Sequence, residues 1–359
     1  MDLSGFFAPW LVFGLVLLLH LLLPGRWVEG YVTDPATGKP LRYRLNGLIV
    51  MLSTVGLWAL AGWCEWLPWD FAWTHRWAGL AGACVAGLLF TFAIVLPAAS
   101  TGASMVSDLF FGRLDNPRTL SARLDIKMFL YLAGATLLEL NLLAFAAHHV
   151  TTFPDAVSPG VLLHVGLFSW FVLDYLVFER VHLYTYDLFA ERVGFKLGWG
   201  CLTFYPYFYA VGLWTTADRP DPASSTPWLV MSAIVFFSGW SLARGANLQK
   251  FHFKRDPSHR FLGLFAPQTV ADGRKRLLCS GFWGISRHVN YLGEILMATG
   301  LALSLGWPMS LGPWLYPLYY VLLLVPRERD DHRRCAKKYG SLWDEYCRRV
   351  PRRIVPFVY

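Results

Sequence analysis

The chain has 359 residues, 55% of them hydrophobic and only 16% charged, with a mean hydropathy of +0.40. That balance excludes an ordinary soluble domain and describes a chain that meets lipid along much of its length. The net charge of +8 reads as membrane topology plus anion binding and calls for no nucleic-acid partner.

Apolar stretches near the ~17–25 residues needed to cross a bilayer recur throughout. In chain order they cover 8–23, 47–67, 78–98, 128–147, 161–179, 196–214, 228–243, 289–306 and 309–325, which predicts an all-α polytopic membrane bundle of about nine helices. The first has no basic region before it and no small-residue cleavage site, so it reads as a span and not as a cleaved signal. Basic residues gather after the first, third, fifth and seventh spans: Arg26, Lys39, Arg42 and Arg44; Arg113, Arg118, Arg123 and Lys127; Arg180 and Arg192; then the stretch 244–288. The alternate segments carry only Arg76 and Arg219, and the tail from Arg327 is again basic. By the positive-inside rule the C-terminus and the basic loops are cytoplasmic.

Residues 219–227, rich in Pro and Ser, read as an external loop. Pro206, between Tyr205 and Tyr207 and close to Tyr209, interrupts the sixth span, where a missing N–H can open a cavity. The last two spans are joined by the tight turn Gly306-Trp307-Pro308. Six cysteines are scattered without CxxC or ligand-like spacing, so neither a disulfide framework nor a metal site is expected.

Chemistry concentrates on the basic side. In RGANLQKFHFKRDPSHR (244–260), Asn247, Lys250, Lys254 and Arg255 share a helix face continuing from the seventh span. They read either as contacts to lipid headgroups or as a phosphate clamp, with Arg274, Lys275 and Arg276 adding charge nearby. In LLCSGFWGISRHVNYLGE (277–294), Trp283 offers a stacking surface, and Arg287, His288, Asn290 and Tyr291 array donors over one helical turn. The alternative is an interfacial aromatic belt. Glu294 is an intramembrane carboxylate, a functional candidate by default. In the tail, Arg327 and Asp331 are four apart and face the same way. Basic residues continue through Lys338, interleaved by Tyr339, Trp343 and Tyr346, a pattern that an amphipathic surface helix would also give. No GxGxxG follows a strand and no Walker sequence occurs, so a dinucleotide would bind without a Rossmann domain.

These residues lie in a series of longer motifs: LLPGRWVEGYV and LRYRLNG, SDLFFGRLDNPR and DIKMF, GFKLGWGCLTFYPYFY, ANLQKFHFKRDP, LLCSGFWGISRHVNYLGE, and the tail from Arg329 to Tyr359. In that order, and over nearly the whole chain, they resemble the sterol reductase family: the sterol C14-reductases, 7-dehydrocholesterol reductases, sterol C24(28)-reductases and the membrane domain of the lamin B receptor. The resemblance implies a ten-span helical bundle of which this chain begins at the second span, without the receptor's soluble domain. It implies one integral membrane domain over 1–359, with spans of a sterol-facing part in 1–227 and an NADPH-binding part in 228–359.

Carried over by position, the implied cofactor contacts are Lys250, Lys254, Leu278, Trp283, Asn290, Tyr291, Arg327, Asp331, Cys335, Lys338, Tyr339 and Tyr346. Arg255, Arg287 and His288 join them from the clusters above. Asp331 and Tyr209 are the implied catalytic residues, and no metal is implied. The implied reaction is NADPH-dependent reduction of a Δ14 or Δ7 ring double bond by protonation and hydride transfer. A sterol or related polycyclic lipid and the membrane itself would be the partners, with no nucleic acid and no obligate protein partner. The location would be the endoplasmic reticulum in a eukaryote or the inner membrane in a bacterium.

Lys254 stands where the family usually has Arg, Glu294 where Asp is common, and Pro326 where His is frequent. Phe282 and Val289 replace a Trp and a Pro frequent in C14-reductases and look closer to 7-dehydrocholesterol reductases. Two other readings stand beside this one. Isoprenylcysteine- and phospholipid-type methyltransferases, which use S-adenosylmethionine, share an RHxxYxG motif but are shorter and lack LLPGRWVEG and LRYRLNG. A non-catalytic membrane scaffold would not need Trp283, Asn290, Tyr291 and Asp331 together.

Overall fold

The computed structural model describes residues 2–273 and 275–359; Arg274, one of the predicted cations, lies outside them. The protein is mostly helical. Among the described residues five helices are long and apolar enough to cross a membrane: Leu3–Leu22, Arg76–Val95, Ile126–Thr152, Pro159–Val177 and Thr226–Arg255. Gly47–Trp63 is a shorter apolar helix of 17 residues. The chain divides after Asp221 into two compact units.

In the first unit the Ile126–Thr152 helix is the core, buried on nearly every face. Several of its buried polar side chains bond to neighbours, as burial away from water favours. Lys127 donates to the Leu188 carbonyl at 2.9 Å, Glu139 accepts from Ser169 at 2.7 Å, and Asn141 donates to the Pro206 carbonyl at 2.9 Å. The residues before Gly47 return to finish the first helix. Arg44 donates to the carbonyls of Leu21 and Leu23 and Asn46 to that of His20, groups that a helix C-terminus otherwise leaves open.

Two expectations are corrected here. The chain is not purely helical: antiparallel ribbons pair Arg26–Thr33 with Pro40–Leu45, Arg118–Thr119 with Leu124–Asp125, and Thr269–Asp272 with Lys275–Leu278. In the first ribbon Val28 and Tyr43 point inward and pack with Met128, Leu183 and Leu188. The sixth predicted span, 196–214, is also not one helix. It is split into Phe195–Trp199, a π-helical turn Gly200–Phe204, Tyr205–Phe208 and Val211–Trp214. Pro206 supplies no N–H to a continuous ladder, and its carbonyl bonds to Asn141 instead.

The second unit is built on Thr226–Arg255, Val289–Ser304, Leu311–Tyr339 and Ser341–Arg349. The first two lie in backbone contact because glycines meet there. A Cβ at Gly239 would stand 2.6 Å from the Gly293 carbonyl oxygen, and one at Gly293 2.5 Å from the Ala243 nitrogen. Thr226–Arg255 continues past its apolar part through Lys250 and Lys254, as the helical spacing predicts. Leu311–Tyr339 outruns the predicted span by more than three turns and carries Arg327, Asp331, Cys335 and Lys338 on one continuous helix.

Candidate functional site

The second unit gathers the predicted polar residues of the tail and of 250–291. Gln249, buried near the end of its helix, sets the local geometry of the 280–283 loop. Its side chain accepts from the Phe282 N–H at 3.0 Å and donates to the Ser280 carbonyl at 3.2 Å. Gly281 turns there with φ +61, and any Cβ would run into the Gln249 amide. Trp283 follows directly, its indole N–H bound to the Ala246 carbonyl at 2.9 Å, with the Lys250 ammonium 5.5 Å from the ring centroid. Gln249→Ala removes both loop bonds and orphans a backbone N–H, which costs about 1–3 kcal/mol. We expect a lower Tm, and weaker fluorescence quenching of Trp283 by a bound nucleotide than in the parent protein.

Around Trp283 lies a cationic cluster. Lys250, Lys254 and Lys338 stand close enough to repel one another, and Asp331 attracts Lys250. Three ammoniums crowded in this way favour an anionic ligand. Lys275 points away from that task and donates to the Lys338 carbonyl at 2.8 Å, completing the C-terminal turn of the Leu311–Tyr339 helix. Arg255 is exposed and lies over the Phe251 ring at 5.3 Å, apart from the bonds that join the others.

Asp331 sits among the cations and beside His288, with its carboxylate oxygen 3.8 Å from His288 Nε2 and 3.9 Å from the Cys335 thiol. Burial raises the Asp331 carboxyl above its ordinary range, and Lys250, Arg334 and Arg327 pull it part of the way back. The Cys335 thiol is pushed up to about 12, by burial first and then by Asp331. His288 is 5% exposed and stacks on Tyr291 with centroids 4.8 Å apart. Burial, with Lys250 and Arg287 adding to it, lowers His288 to about 3.

His288 is therefore neutral in the folded protein, and this links it to stability. As pH falls below about 6.5, unfolded chain takes up a proton that folded His288 refuses until about pH 3. Stability contributed by His288 is full above that window and is lost through it. Asp331, whose raised carboxyl binds its proton early in the folded state, opposes this at the acid end. We expect His288→Gln to flatten the fall of Tm with acidification; an unchanged slope would remove His288 from the linkage.

Asn290 carries a buried side-chain oxygen with no partner among the described residues. Such an acceptor, one residue from Tyr291 and on the first turn of Val289–Ser304, fits an amide donor on a ligand. Leu278 closes its ribbon, and Tyr339, Tyr346 and Cys335 pack with Val270, Cys279, Leu342, Trp343 and Val350. Tyr346 is 4% exposed, and burial raises its phenol well above the ordinary value.

The structure shows Arg287 tied into the tail. Its guanidinium donates to the Cys347 sulfur at 2.8 Å and the Pro351 carbonyl at 3.2 Å, and lies 3.4 Å from His332 Nδ1. Trp343 donates to the same His332 nitrogen at 3.2 Å, which fixes it as an acceptor. Backbone bonds from Arg287 and His288 to the carbonyls of Arg352 and Arg353 continue the seam. Glu328, fully buried, accepts from Arg353 at 3.1 Å and from the Tyr359 hydroxyl at 3.2 Å. Gln249, Glu328, His332 and Cys347 are the residues that sequence reading missed. Only Glu328, a carboxylate beside Arg327, carried any local signal.

Tyr209 belongs to the first unit. It is half-buried on the broken segment, edge-on to Tyr205 with centroids 4.7 Å apart.

The fold and this site define a multi-pass helical membrane protein with a basic, aromatic-lined site on its C-terminal helices. The chain matches the Ergosterol biosynthesis ERG4/ERG24 family over residues 3–359 and belongs to it. It is 34% identical to a Delta(14)-sterol reductase of Arabidopsis thaliana over 358 residues, covering 94% of this chain and 91% of the relative. It is 35% identical to Delta(14)-sterol reductase TM7SF2 of Mus musculus over 385 residues, covering 100% and 88%. A Delta(14)-sterol reductase of Methylotuvimicrobium alcaliphilum is 31% identical over 370 residues, covering 99% and 83%.

Proposed function

We propose that the protein is an NADPH-dependent sterol reductase that saturates the Δ14 double bond. The relatives named above carry the choice of Δ14 over the Δ7 bond that Phe282 and Val289 suggest. Family membership, with the LLPGRWVEG and LRYRLNG elements, also favours reduction over methyl transfer from S-adenosylmethionine. The observation that carries the cofactor reading is the single grouping of Lys250, Lys254 and Lys338 around Asp331 and the Trp283 ring. Lysines bind the phosphates, Trp283 stacks on a flat ring, and the orphaned Asn290 oxygen accepts from a carboxamide. When bound, NADPH supplies the hydride.

The chain's own residues supply the rest. A ring alkene accepts hydride poorly until it is protonated, so the site must hold an acid that keeps its proton near neutrality. Asp331, which burial raises and Lys250, Arg334 and Arg327 pull part of the way back, is the acid we assign, and Tyr209 is the second candidate. We propose the remaining spans to 325 as membrane crossings, about nine in all, with the C-terminus cytoplasmic and the sterol entering from the lipid.

The test is expression in yeast lacking its own sterol reductases, with sterols separated by gas chromatography. Loss of Δ14 sterols and persistence of Δ7 and Δ24(28) sterols is the expected result. Δ7 reduction would move the assignment. Stabilisation of the purified protein by S-adenosylmethionine and not by NADPH would overturn it.

A further inference from the structure

Below the site, the Val289–Ser304 and Leu311–Tyr339 helices carry a second set of polar groups that the reading above leaves unused. Glu294 is four residues from Asn290 and three from Tyr291, so it lies one turn deeper on the same side of its helix. Tyr320 is 7% exposed and Tyr316 4% exposed, and their hydroxyls are 3.2 Å apart. Glu294 is within electrostatic range of Tyr320. Tyr316, Tyr320, Leu324, Arg327 and Asp331 follow the spacing of one helix face, so this face runs from the cofactor end to the Gly306–Ser310 turn. Helical side chains lean toward their N-terminus, which aims the Tyr316 hydroxyl at that turn. On the neighbouring helix, the contact of Gly293 with Ala243 sets the buried Arg244 at the level of Glu294.

We infer that Tyr316, Tyr320 and Glu294 form a proton-supply line to the site, drawing from the membrane face opposite the cofactor. Resting on the reductase reading, each turnover consumes one hydride and one proton. The hydride makes one C–H bond as NADPH becomes NADP+, and the proton makes the other as the alkene π-bond breaks. The acid that gave its proton must be recharged before the next turnover. A proton passes from water to the Tyr316 hydroxyl as that hydroxyl passes its own to Tyr320. Tyr320 in turn passes one to Glu294, which recharges the acid of the site. No group changes oxidation state along the line. Glu294, Tyr320 and Tyr316 act through that acid and are positioning residues.

The test uses the full chain in proteoliposomes, with pH set separately on the two sides. Steady-state reduction is expected to slow as the side opposite the cofactor is made alkaline. Glu294→Gln and Tyr320→Phe keep NADPH binding and first-turnover amplitude but lose most of the steady-state rate and its response to that pH. Glu294→Asp restores both. A rate that follows only cofactor-side pH, or Glu294→Gln with normal steady-state turnover, overturns the line. Loss of the first turnover in Glu294→Gln also overturns it, by making Glu294 the donor itself.

A second readout needs no substrate. Stepping the far-side pH should produce a carboxyl band in infrared difference spectra that Glu294→Gln removes, and absence of that band overturns the line whatever the sterol. The band present with no sterol reduced would overturn the reductase reading alone.

Discussion

Asp331→Asn is expected to lower turnover by about 10²–10⁴-fold, the scale that a positioned general acid contributes. NADPH binding should change little. Asn keeps the size and a polar contact toward Cys335 and His288 but has no proton to give. The three clustered lysines remain, and the loss of the carboxylate removes an attraction for Lys250 without removing Lys250 itself. NADPH titration followed by Trp283 fluorescence separates binding from chemistry, and sterol product analysis measures the rest. Because burial lifts the carboxyl, reduction in the parent protein should fall as pH rises through its titration and should be steady below it. Full activity in Asp331→Asn would take the acid role away and leave Tyr209 to be tested by Tyr209→Phe.

The parts of this protein that could be read from the sequence are those in which a local pattern has a local cause. The run from Asn247 to Lys254 follows helical spacing, and the helix continues through it. Arg327 and Asp331, four apart, lie on one helix as spacing requires. The ribbon around Val28 and Tyr43 was not legible, because strands of six and eight residues vanish when apolarity is averaged over a span length. The broken segment at 195–214 was half legible: Pro206 announced a fault, but the split into four pieces depends on Asn141, far away in sequence, taking the Pro206 carbonyl. The clamp of Gln249 on the 280–282 backbone and the seam of Arg287 with the tail share that difficulty. Gln249 reads as any amide on a helix until the loop more than thirty residues later folds against it. Such partners are set by tertiary packing and have no periodic signature.

Arg287 is the residue for which spacing and structure lead to different experiments. Spacing places it beside the cofactor, whereas the structure shows its guanidinium bonded to Cys347 and Pro351 and set against His332. Hydrogen bonds from a charged group are worth about 1.5–3 kcal/mol each, and leaving a buried carbonyl unmatched adds to the loss. Arg287→Ala is therefore expected to destabilise the second unit by about 3–5 kcal/mol. Thermal unfolding of the cofactor-free protein should show it directly. Arg287→Lys should recover only a small part, since a single ammonium cannot reach several acceptors from one plane. Activity would fall in both, because the seam carries the backbone of Arg287 and His288 against Arg352 and Arg353 and so aligns His288 with Asp331. If Arg287 instead grips phosphate, Arg287→Ala melts normally without NADPH and loses only the extra stability that NADPH confers. The unliganded melt alone separates the two roles.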